Sequence, residues 1–310
     1  MLELSLQELA TVTDGKLCLA DLPPLDGVQQ PIHSIAFEID QLSPGSLYWD
    51  LSTSLETSFG KPELAFAKGA AGVVTSHAYS TPWAGRYSLI VDNSQLALRQ
   101  VGHYLRQVTA QRLLLLGPSL SQPDCIEALQ RSLKMPRPEN APGPPFTIGG
   151  TTHFETNCQT RLSTLQSLHE ASLYATLLLN APDFLILGRA DADCINEQSP
   201  AAFKQLIHCL PPTGTILYCD LSPAPPASWS PHFDMPSWSQ ICASAGITYF
   251  RIGTDHHADF QMRPVSTTET SHVLRVDDDW TQLPDGTYAQ TMVQATAMVA
   301  ATVLEQSRAA

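Results

Sequence analysis

The stretch "RLLLLGPSLSQPDCIEALQRSLK", from Arg112 to Lys134, constrains the fold of this chain more than any other segment. Its run of leucines predicts a strand that is buried on both faces, as in a parallel sheet. The residues from Pro123 onward predict an amphipathic helix with proline at its first turn. A strand, a short turn and a helix in this order are typical of a phosphate-binding loop. The stretch therefore predicts an α/β fold and raises the question of whether the turn still binds phosphate.

Predicted strands and helices alternate along the rest of the chain in two series. Before residue 110, "PIHSIAFEIDQLSPGSLYWDL" predicts two strands joined by a turn at Pro44 and Gly45, and "AGVVTSH" predicts a buried strand. "SQLALRQVGHYLRQVTA" predicts a helix, because its apolar residues follow helical spacing: Leu96, Val101, Tyr104, Leu105 and Val108. A second series follows and ends in a long closing helix, "YAQTMVQATAMVAATVLEQS". The alternation predicts mixed or parallel sheets covered by helices, with a boundary near residue 110.

Composition excludes several classes of protein. The 310 residues include 43% hydrophobic residues, enough for a sizeable core. A net charge of −13 with 17 Lys and Arg argues against nucleic-acid binding, which needs clustered cations. The seven cysteines form no C-x-x-C pair, and the start "MLELSLQELA" lacks the features of a signal peptide. Because no run is long enough to span a membrane, we expect a cytoplasmic protein that does not associate with membranes.

Segments along nearly the whole chain resemble the Mur ligases, ATP-dependent enzymes that add amino acids or dipeptides to a UDP-muramoyl precursor of peptidoglycan. In the first half, the resemblance is carried by "SLQELATVTDGKL", "FEIDQLSPGSLYWDL", "AFAKGAAGVVTSH", "LIVDNSQLALRQVGHYLR" and "GPSLSQPD". In the second half, it is carried by "NAPDFLILGRADADCI", "SPAAFKQLIHCLPPTGTILYCD", "ITYFRIGTDHHADF" and "LPDGTYAQTMVQATAMVAATVL". The chain most resembles the branch that adds D-alanyl-D-alanine, or its neighbour that adds the third residue of the peptide.

The resemblance implies a domain organisation. Residues 1–109 are expected to form a small N-terminal α/β domain similar to the nucleotide-sugar-binding domain of the family. Residues 110–310 are expected to form the central, ATPase-like domain, with a mostly parallel sheet flanked by helices. The third, C-terminal domain of a Mur ligase is expected to be absent.

The turn after the leucine strand departs from the phosphate loop of the family. Gly117, Ser119 and Ser121 are the candidate phosphate-binding residues. However, Leu120 stands at the second glycine of the family's loop, Ser121 at its lysine, and Gln122 at its hydroxyl residue. A phosphate loop needs glycine for close approach of the backbone, lysine for charge and a hydroxyl for Mg²⁺. Each lost contact between a cation and phosphate removes on the order of 2 kcal/mol.

Proline also reduces the number of donors in this turn. Pro118 and Pro123 have no N–H group, so neither can bind a phosphate oxygen. We therefore expect a strand, turn and helix that remain for packing, without a cofactor. ATP and Mg²⁺ would be needed only if the chain were an active ligase.

The position that meets the nucleotide-sugar in the family has also changed. Mur ligases have Asp, then Ser or Thr, then Arg just before the Pro-Gly turn, and this chain has Glu38, Ile39 and Asp40. An anionic ligand would meet repulsion there instead of a donor. We predict that Glu38 and Asp40 are solvated residues of a strand.

The resemblance also points to candidate catalytic residues. Asp191 and Asp193 lie near the position of a metal-binding histidine in the family, and Lys204 lies near its carbamylated lysine. With Glu197, the two aspartates could supply oxygen ligands to Mg²⁺. The alternative is that Lys204 is a solvated residue of a helix, and we predict no metal site.

Other polar groups are interpreted as structural. Tyr288 and Ala289 replace a His-Asn pair at the start of the closing helix of the family. "GTDHHADF", with Asp255, His256, His257 and Asp259, is interpreted as a polar turn, and the run 277–279 as a solvated turn. No local motif supports a nucleophile formed by cysteine and histidine.

Three hypotheses follow for the function. The first is a non-catalytic homologue of Mur ligases, a binding or scaffold protein linked to peptidoglycan precursor synthesis, whose partners are cell-wall ligases or another protein chain. The second is a divergent ATP-dependent amide ligase that acts with a partner chain and uses Lys204 with Asp191 and Asp193 on Mg²⁺. The third is a protein that binds an uncharged small molecule in the cleft between its domains.

Overall fold

The structure is a computed structural model, and the residues that it describes fall into ranges with gaps between them. These are residues 4–20, 32, 34–77, 82–109, 112–132, 146–148, 151–154, 160–165, 168, 170–198, 202–220, 235–256, 258–264, 272–276, 279–283 and 288–309. They belong to two compact units. The first unit comprises Met1–Ala110, Phe146–His153 and His169–Ala181, and the second comprises Gln111–Pro145, Phe154–Leu168 and Pro182–Ala310. Two segments of the first unit thus follow the predicted boundary in the sequence.

Helices and strands alternate in both units. The helices are α1 (Leu6–Thr13), α2 (Leu55–Ser58), α3 (Lys61–Ala67), α4 (Ser94–Thr109), α5 (Pro123–Ser132), α6 (Glu170–Asn180), α7 (Arg189–Gln198), α8 (Ala202–Cys209), α9 (Met235–Ser244) and α10 (Tyr288–Ala309). The strands are β1 (Lys16–Leu19), β2 (Ile35–Ala36), β3 (Leu47–Trp49), β4 (Gly72–Thr75), β5 (Tyr87–Ile90), β6 (Arg112–Leu116), β7 (Phe146–Ile148), β8 (Thr151–Phe154), β9 (Thr160–Leu165), β10 (Phe184–Gly188), β11 (Thr215–Asp220), β12 (Thr248–Gly253), β13 (Phe260–Pro264), β14 (His272–Val276) and β15 (Asp279–Gln282).

The sheet of the first unit has the strand order β1-β5-β4-β3-β2. Strand β1 is antiparallel to β5, and the other neighbours are parallel. The turn predicted at Pro44 and Gly45 precedes β3, and Gly45 has a φ of +86°, which favours glycine. At the start of the unit, Ser5 and Glu8 cap α1 reciprocally, as their spacing indicates.

The segment before this turn does not continue as a strand, so the strand predicted for Glu38 and Asp40 is wrong. After the short strand β2, Ile39–Gln41 form a 3₁₀ helix with Glu38 at its N-cap. The side chain of Asp40 is 93% exposed and accepts a hydrogen bond of 2.7 Å from Lys68. This lysine lies at the end of α3, so a contact distant in sequence accompanies the change in local structure.

Helix α4 uses a narrower buried face than its apolar spacing predicts. Ala97, Leu98 and Val101 are buried, whereas Leu96 and Val108 are 55% and 64% exposed. The helix also approaches α6 at Gly102, where a Cβ atom would lie 2.2 Å from the carbonyl oxygen of Leu178. The bare backbone at Gly102 thus lets the two helices approach closely.

The sheet of the second unit contains the leucine strand β6. Its strands run in the order β9-β6-β10-β11-β12-β13-β14-β15. From β9 to β13 in this order, each strand is parallel to its neighbour. Strand β14 is antiparallel to β13, and the edge strand β15 is antiparallel to β14. Leu113, Leu114, Leu115 and Leu116 are all buried, as predicted for a strand covered on both faces. Strands β7 and β8 form an antiparallel hairpin.

Helices cover this sheet and complete its core. Leu129 of α5 and Val299 of α10 belong to the same buried cluster as Leu114, Ile186 and Leu217 of the central strands. The predicted fold class, α/β with mostly parallel sheets flanked by helices, is confirmed. Among the residues that the structure describes, no helix is both long enough and apolar enough to cross a membrane.

Candidate functional site

The candidate site lies at the carboxyl ends of the parallel strands in the second unit. Strands β6, β10, β11 and β12 are consecutive neighbours in the sheet and point in one direction. Open α/β sheets bind their ligands at this edge, because loops and helix N-termini converge there. The turn that follows β6 is therefore correctly placed for a phosphate, and its geometry decides whether it can bind one.

The backbone donors of this turn are used inside the chain. Pro118–Leu120 form a 3₁₀ helix, in which the N–H of Leu120 donates to the carbonyl of Gly117 at 3.1 Å. The N–H of Ser121 donates to the carbonyl of Pro118 at 3.1 Å, and that of Gly117 donates to the carbonyl of Ile186 at 2.8 Å. Because these N–H groups already have acceptors, they are not available to hold a phosphate oxygen.

Ser119 contributes two further donors of the turn, and both bind a carboxylate from elsewhere in the sequence. The N–H and the hydroxyl of Ser119 donate to Asp191 at 3.0 and 2.6 Å. The N–H of Gly188 donates to the same carboxylate at 2.9 Å. Asp191 is 2% exposed and lies in the first turn of α7, where the helix dipole favours an anion. One buried carboxylate thus joins the turn after β6 to the end of β10.

Two glycines make room for this carboxylate. A Cβ atom at Gly117 would lie 2.1 Å from Oδ2 of Asp191, and one at Gly188 would lie 2.3 Å from Oγ of Ser119. Both distances are far below van der Waals contact, so each position needs the bare backbone of glycine. The glycine that the turn shares with a phosphate loop is therefore in contact with Asp191.

The side chains of the turn do not supply the missing lysine or the magnesium-binding hydroxyl. Ser121, at the lysine position, donates from its hydroxyl to the carbonyl of Gly117 at 3.0 Å. Leu120 packs against the buried cluster of the second unit, and Gln122 is exposed. Asp124 adds a negative charge to the first turn of α5, where a phosphate loop would bind its ligand.

The candidate catalytic residues differ in their exposure to solvent. Asp191 is buried, whereas Asp193, Glu197 and Lys204 are exposed. Asp193 lies 4.0 Å from Arg189 in an ion pair along α7. Within the described ranges, no three His, Cys, Asp or Glu side chains are placed to hold a metal ion. A catalytic role of Asp191, Asp193 and Lys204 remains a prediction, and the surroundings of Asp191 do not fit a magnesium ligand with a free coordination position.

A buried arginine at the same edge was not identified from the sequence. Arg251 of β12 is 9% exposed, and its guanidinium donates to Asp220 at 2.7 Å and to Asp255 at 3.0 Å. Arg189 lies 3.5 Å from the other oxygen of Asp220. The backbone N–H of Arg251 donates to Asp259 at 2.8 Å. The positive charges at this edge are thus paired with carboxylates of the chain itself.

The segment "GTDHHADF" is a turn between β12 and β13, as interpreted, but it is not simply solvated. Asp255 and Asp259 bind Arg251, whereas His256 is exposed. His257 lies outside the described residues. In the run 277–279, only Asp279 is described, and it is the first residue of the exposed strand β15, so the turn predicted there is wrong for Asp279.

The structure describes three further residues that the resemblance singled out, two of them only in their backbone. Tyr288 and Ala289 begin α10, and their side chains lie outside the described residues. Asp40, in the segment expected to meet a nucleotide-sugar, is paired with Lys68. The hydrogen bond from Lys68, and secondarily its charge, lower the pKa of Asp40 below its ordinary value. An acidic group therefore remains ionised at this surface, as the sequence suggests.

Three buried cysteines are not expected to act as nucleophiles. Burial raises the pKa of Cys125, Cys219 and Cys242 to about 12 in each case. Near pH 8 we expect these thiols to react with Ellman's reagent roughly a thousandfold more slowly in the native protein than after unfolding. Mass spectrometry of labelled peptides checks this result, with the exposed Cys194 as the internal control. Labelling of any buried thiol as fast as Cys194 would contradict it.

Gly188 and Asp191 carry a signal that could have been recognised in the sequence. A glycine at the end of an apolar strand, followed three residues later by an acidic residue, is half of a capping box for the next helix. That pattern indicates a carboxylate folded back on the backbone instead of a metal ligand. The contact between Asp191 and Ser119 spans 72 positions, and no local pattern predicts it.

Comparison of the sequence with models of known families and with curated proteins gives no match. The structure, however, is similar to solved structures of Mur ligases. A crystal structure of MurF from Acinetobacter baumannii superposes with a TM-score of 0.51 at 15% identity, covering 97% of this chain and 64% of that one. A UDP-N-acetylmuramoyl-L-alanyl-D-glutamate–2,6-diaminopimelate ligase gives a TM-score of 0.51 at 12% identity, with 97% and 64% covered.

A second structure from Acinetobacter baumannii, of the ligase for D-alanyl-D-alanine, gives a TM-score of 0.50 at 14% identity, covering 96% of this chain and 65% of that one. The chain thus spans less than two thirds of the length of these enzymes. At such low identity, the similarity shows the fold alone. The expected Mur ligase fold is confirmed.

Proposed function

We propose that this chain is a non-catalytic relative of the Mur ligases, a binding or scaffold protein linked to peptidoglycan precursor synthesis. The similarity to Mur ligase structures over nearly the whole chain supports the link to this pathway. The proposed loss of catalysis has separate support in the chemistry of the turn after β6.

The observation that carries the proposal is the carboxylate of Asp191 at the centre of that turn. A phosphate brought to this place would meet a buried negative charge. At 4 Å, two unit charges of like sign repel by about 4 kcal/mol at the effective dielectric constant typical of protein surfaces. Ser119 and Gly188 already donate to Asp191, and the N–H groups of Gly117, Leu120 and Ser121 already donate to backbone carbonyls. The turn therefore does not fit the phosphates of ATP.

The nearby positive charges do not offset the repulsion between Asp191 and a phosphate. Ser121 stands where a phosphate loop has its lysine, and Arg189 and Arg251 both pair with Asp220. Moving an arginine to a phosphate would leave a carboxylate at this edge without its partner, which costs free energy. ATP-dependent catalysis by this chain would need cations that are now used for stability.

The expected result of a binding experiment is the absence of a saturable signal with Mg-ATP. Isothermal titration calorimetry of the full chain should give heats equal to those of dilution, up to millimolar ATP. An active Mur ligase in the same buffer serves as the positive control. Micromolar binding of Mg-ATP would contradict the proposal.

The hypothesis of a ligase completed by a partner chain can be tested in the same preparation. It requires Asp191 and Asp193 on Mg²⁺ together with Lys204, whereas Asp191 is buried in hydrogen bonds and Lys204 is exposed. Among the residues that the structure describes, no contact favours this hypothesis. Formation of an amide bond that depends on ATP and on the chain, with a cell-wall ligase as partner, would support it against the proposal.

A further inference from the structure

The turn after β6 contains a set of donors that converge on one point. The N–H and hydroxyl of Ser119 and the N–H of Gly188 come from two segments and reach the same carboxylate within 2.6 to 3.0 Å. Backbone N–H groups and a hydroxyl at the start of a helix are also the groups that hold a phosphate or sulfate in proteins. The donor set is thus that of an oxyanion site, although its occupant belongs to the chain.

The space around the donors is fitted to an anion of limited size. Gly117 and Gly188 bring the backbone so close that a Cβ atom at either would overlap Asp191 or Ser119. The carboxylate therefore lies against Gly117, and Asp191 is 2% exposed. A second anion cannot enter beside the carboxylate without displacing it.

We infer that Asp191 is an internal counter-anion that excludes phosphate from this turn by binding its donors. The inference rests on the proposed function, in which the chain does not bind ATP, and it names Asp191 as the reason. Because Asp191 is part of the chain, it competes at a high effective concentration and a free anion cannot outcompete it. Removing the carboxylate should leave the donors for an external oxyanion of the phosphate type.

The test is thermal unfolding of the full chain with increasing inorganic phosphate, against chloride at equal ionic strength. For the wild type, we expect equal melting temperatures in both salts. For Asp191→Ala, we expect a lower melting temperature in chloride and a saturable rise with phosphate of at least about 3 °C. Sulfate should act like phosphate, because the donors recognise oxygen atoms and not phosphorus.

Two matched variants separate this effect from a general effect of salt. Asp193→Ala removes an exposed carboxylate two residues further along α7, and it should show no response to phosphate. Ser119→Ala combined with Asp191→Ala removes the hydroxyl donor, and it should reduce the response at least threefold in apparent affinity. If Asp191→Ala does not fold, Asp191→Ser provides the same test, because its shorter polar side chain also removes the carboxylate from the donors.

The outcomes distinguish this inference from the proposed function. A folded Asp191→Ala or Asp191→Ser that gains no response to phosphate overturns the inference, while the lack of ATP binding by the wild type stands. A wild type that is stabilised by phosphate as strongly as the variants overturns it as well. Binding of Mg-ATP by the wild type, together with a phosphate response only in the variants, overturns the proposed function alone.

Discussion

Replacement of Arg251 by leucine is expected to lower the free energy of unfolding by about 3 kcal/mol, since it removes a buried guanidinium that binds two partly buried carboxylates. Arg251 is 9% exposed and binds Asp220 and Asp255 through its guanidinium. Asp255 is partly exposed, so solvent moderates its share of the loss. Equilibrium unfolding in urea measures the change through the midpoint and slope of the transition.

The matched control for this experiment is Arg189→Leu. The side chain of Arg189 is 36% exposed and contacts Asp220 at 3.5 Å and Asp193 at 4.0 Å. Ion pairs of such exposure contribute about 0–1 kcal/mol, so this variant should unfold close to the wild type. Equal losses for the two variants would show that burial of Arg251 does not determine its contribution.

Replacement of Gly102 by alanine is expected to destabilise the first unit by about 2 kcal/mol, because the added methyl group overpacks a helix contact. Its Cβ atom would lie 2.2 Å from the carbonyl of Leu178 and 2.8 Å from that of Leu179. Both obstacles are backbone atoms of α6, which cannot rotate away. Helix propensity alone predicts the opposite sign, a gain of about 1 kcal/mol. Thermal unfolding followed by circular dichroism determines which effect is larger.

The control is His103→Ala, which changes the neighbouring, exposed residue of α4. Alanine also has the higher helix propensity at this position, so the variant should be as stable as the wild type or slightly more stable. A stabilised Gly102→Ala would show that α4 and α6 do not approach as closely as the structure indicates.

Local pattern was sufficient to predict most of the second unit. The leucines of β6 have no polar position between them, and such a run fits a strand covered on both faces. Proline at the first turn of α5 places the start of that helix correctly. These predictions succeed because they depend on neighbours along the chain.

The errors occur where a distant contact overrides the local pattern. Leu96 and Val108 fit an apolar face of α4, but the helix buries Ala97, Leu98 and Val101 instead and meets α6 at Gly102. Asp40 ends in a 3₁₀ helix beside Lys68 instead of a strand. These differences depend on residues far away in sequence, which periodicity does not include.

The sequence predicted a turn between β6 and α5, but it did not predict which residues this turn contacts. The substitutions in the turn indicate a lost phosphate contact from the identities of the residues alone. They do not indicate what takes its place, because Ser119 and Asp191 meet only after β6 and β10 have paired. The same holds for Arg251 and Asp220, which lie on neighbouring strands in a register that one sequence does not specify.

The covalent attachment of Asp191 has a consequence for how the second unit can respond to the cell. A bound nucleotide is acquired, hydrolysed and released, so a protein that depends on it alternates between states as supply changes. A carboxylate of the polypeptide is never consumed and never dissociates into the solvent. We therefore expect one persistent arrangement of the turn, in starved and well-fed cells alike.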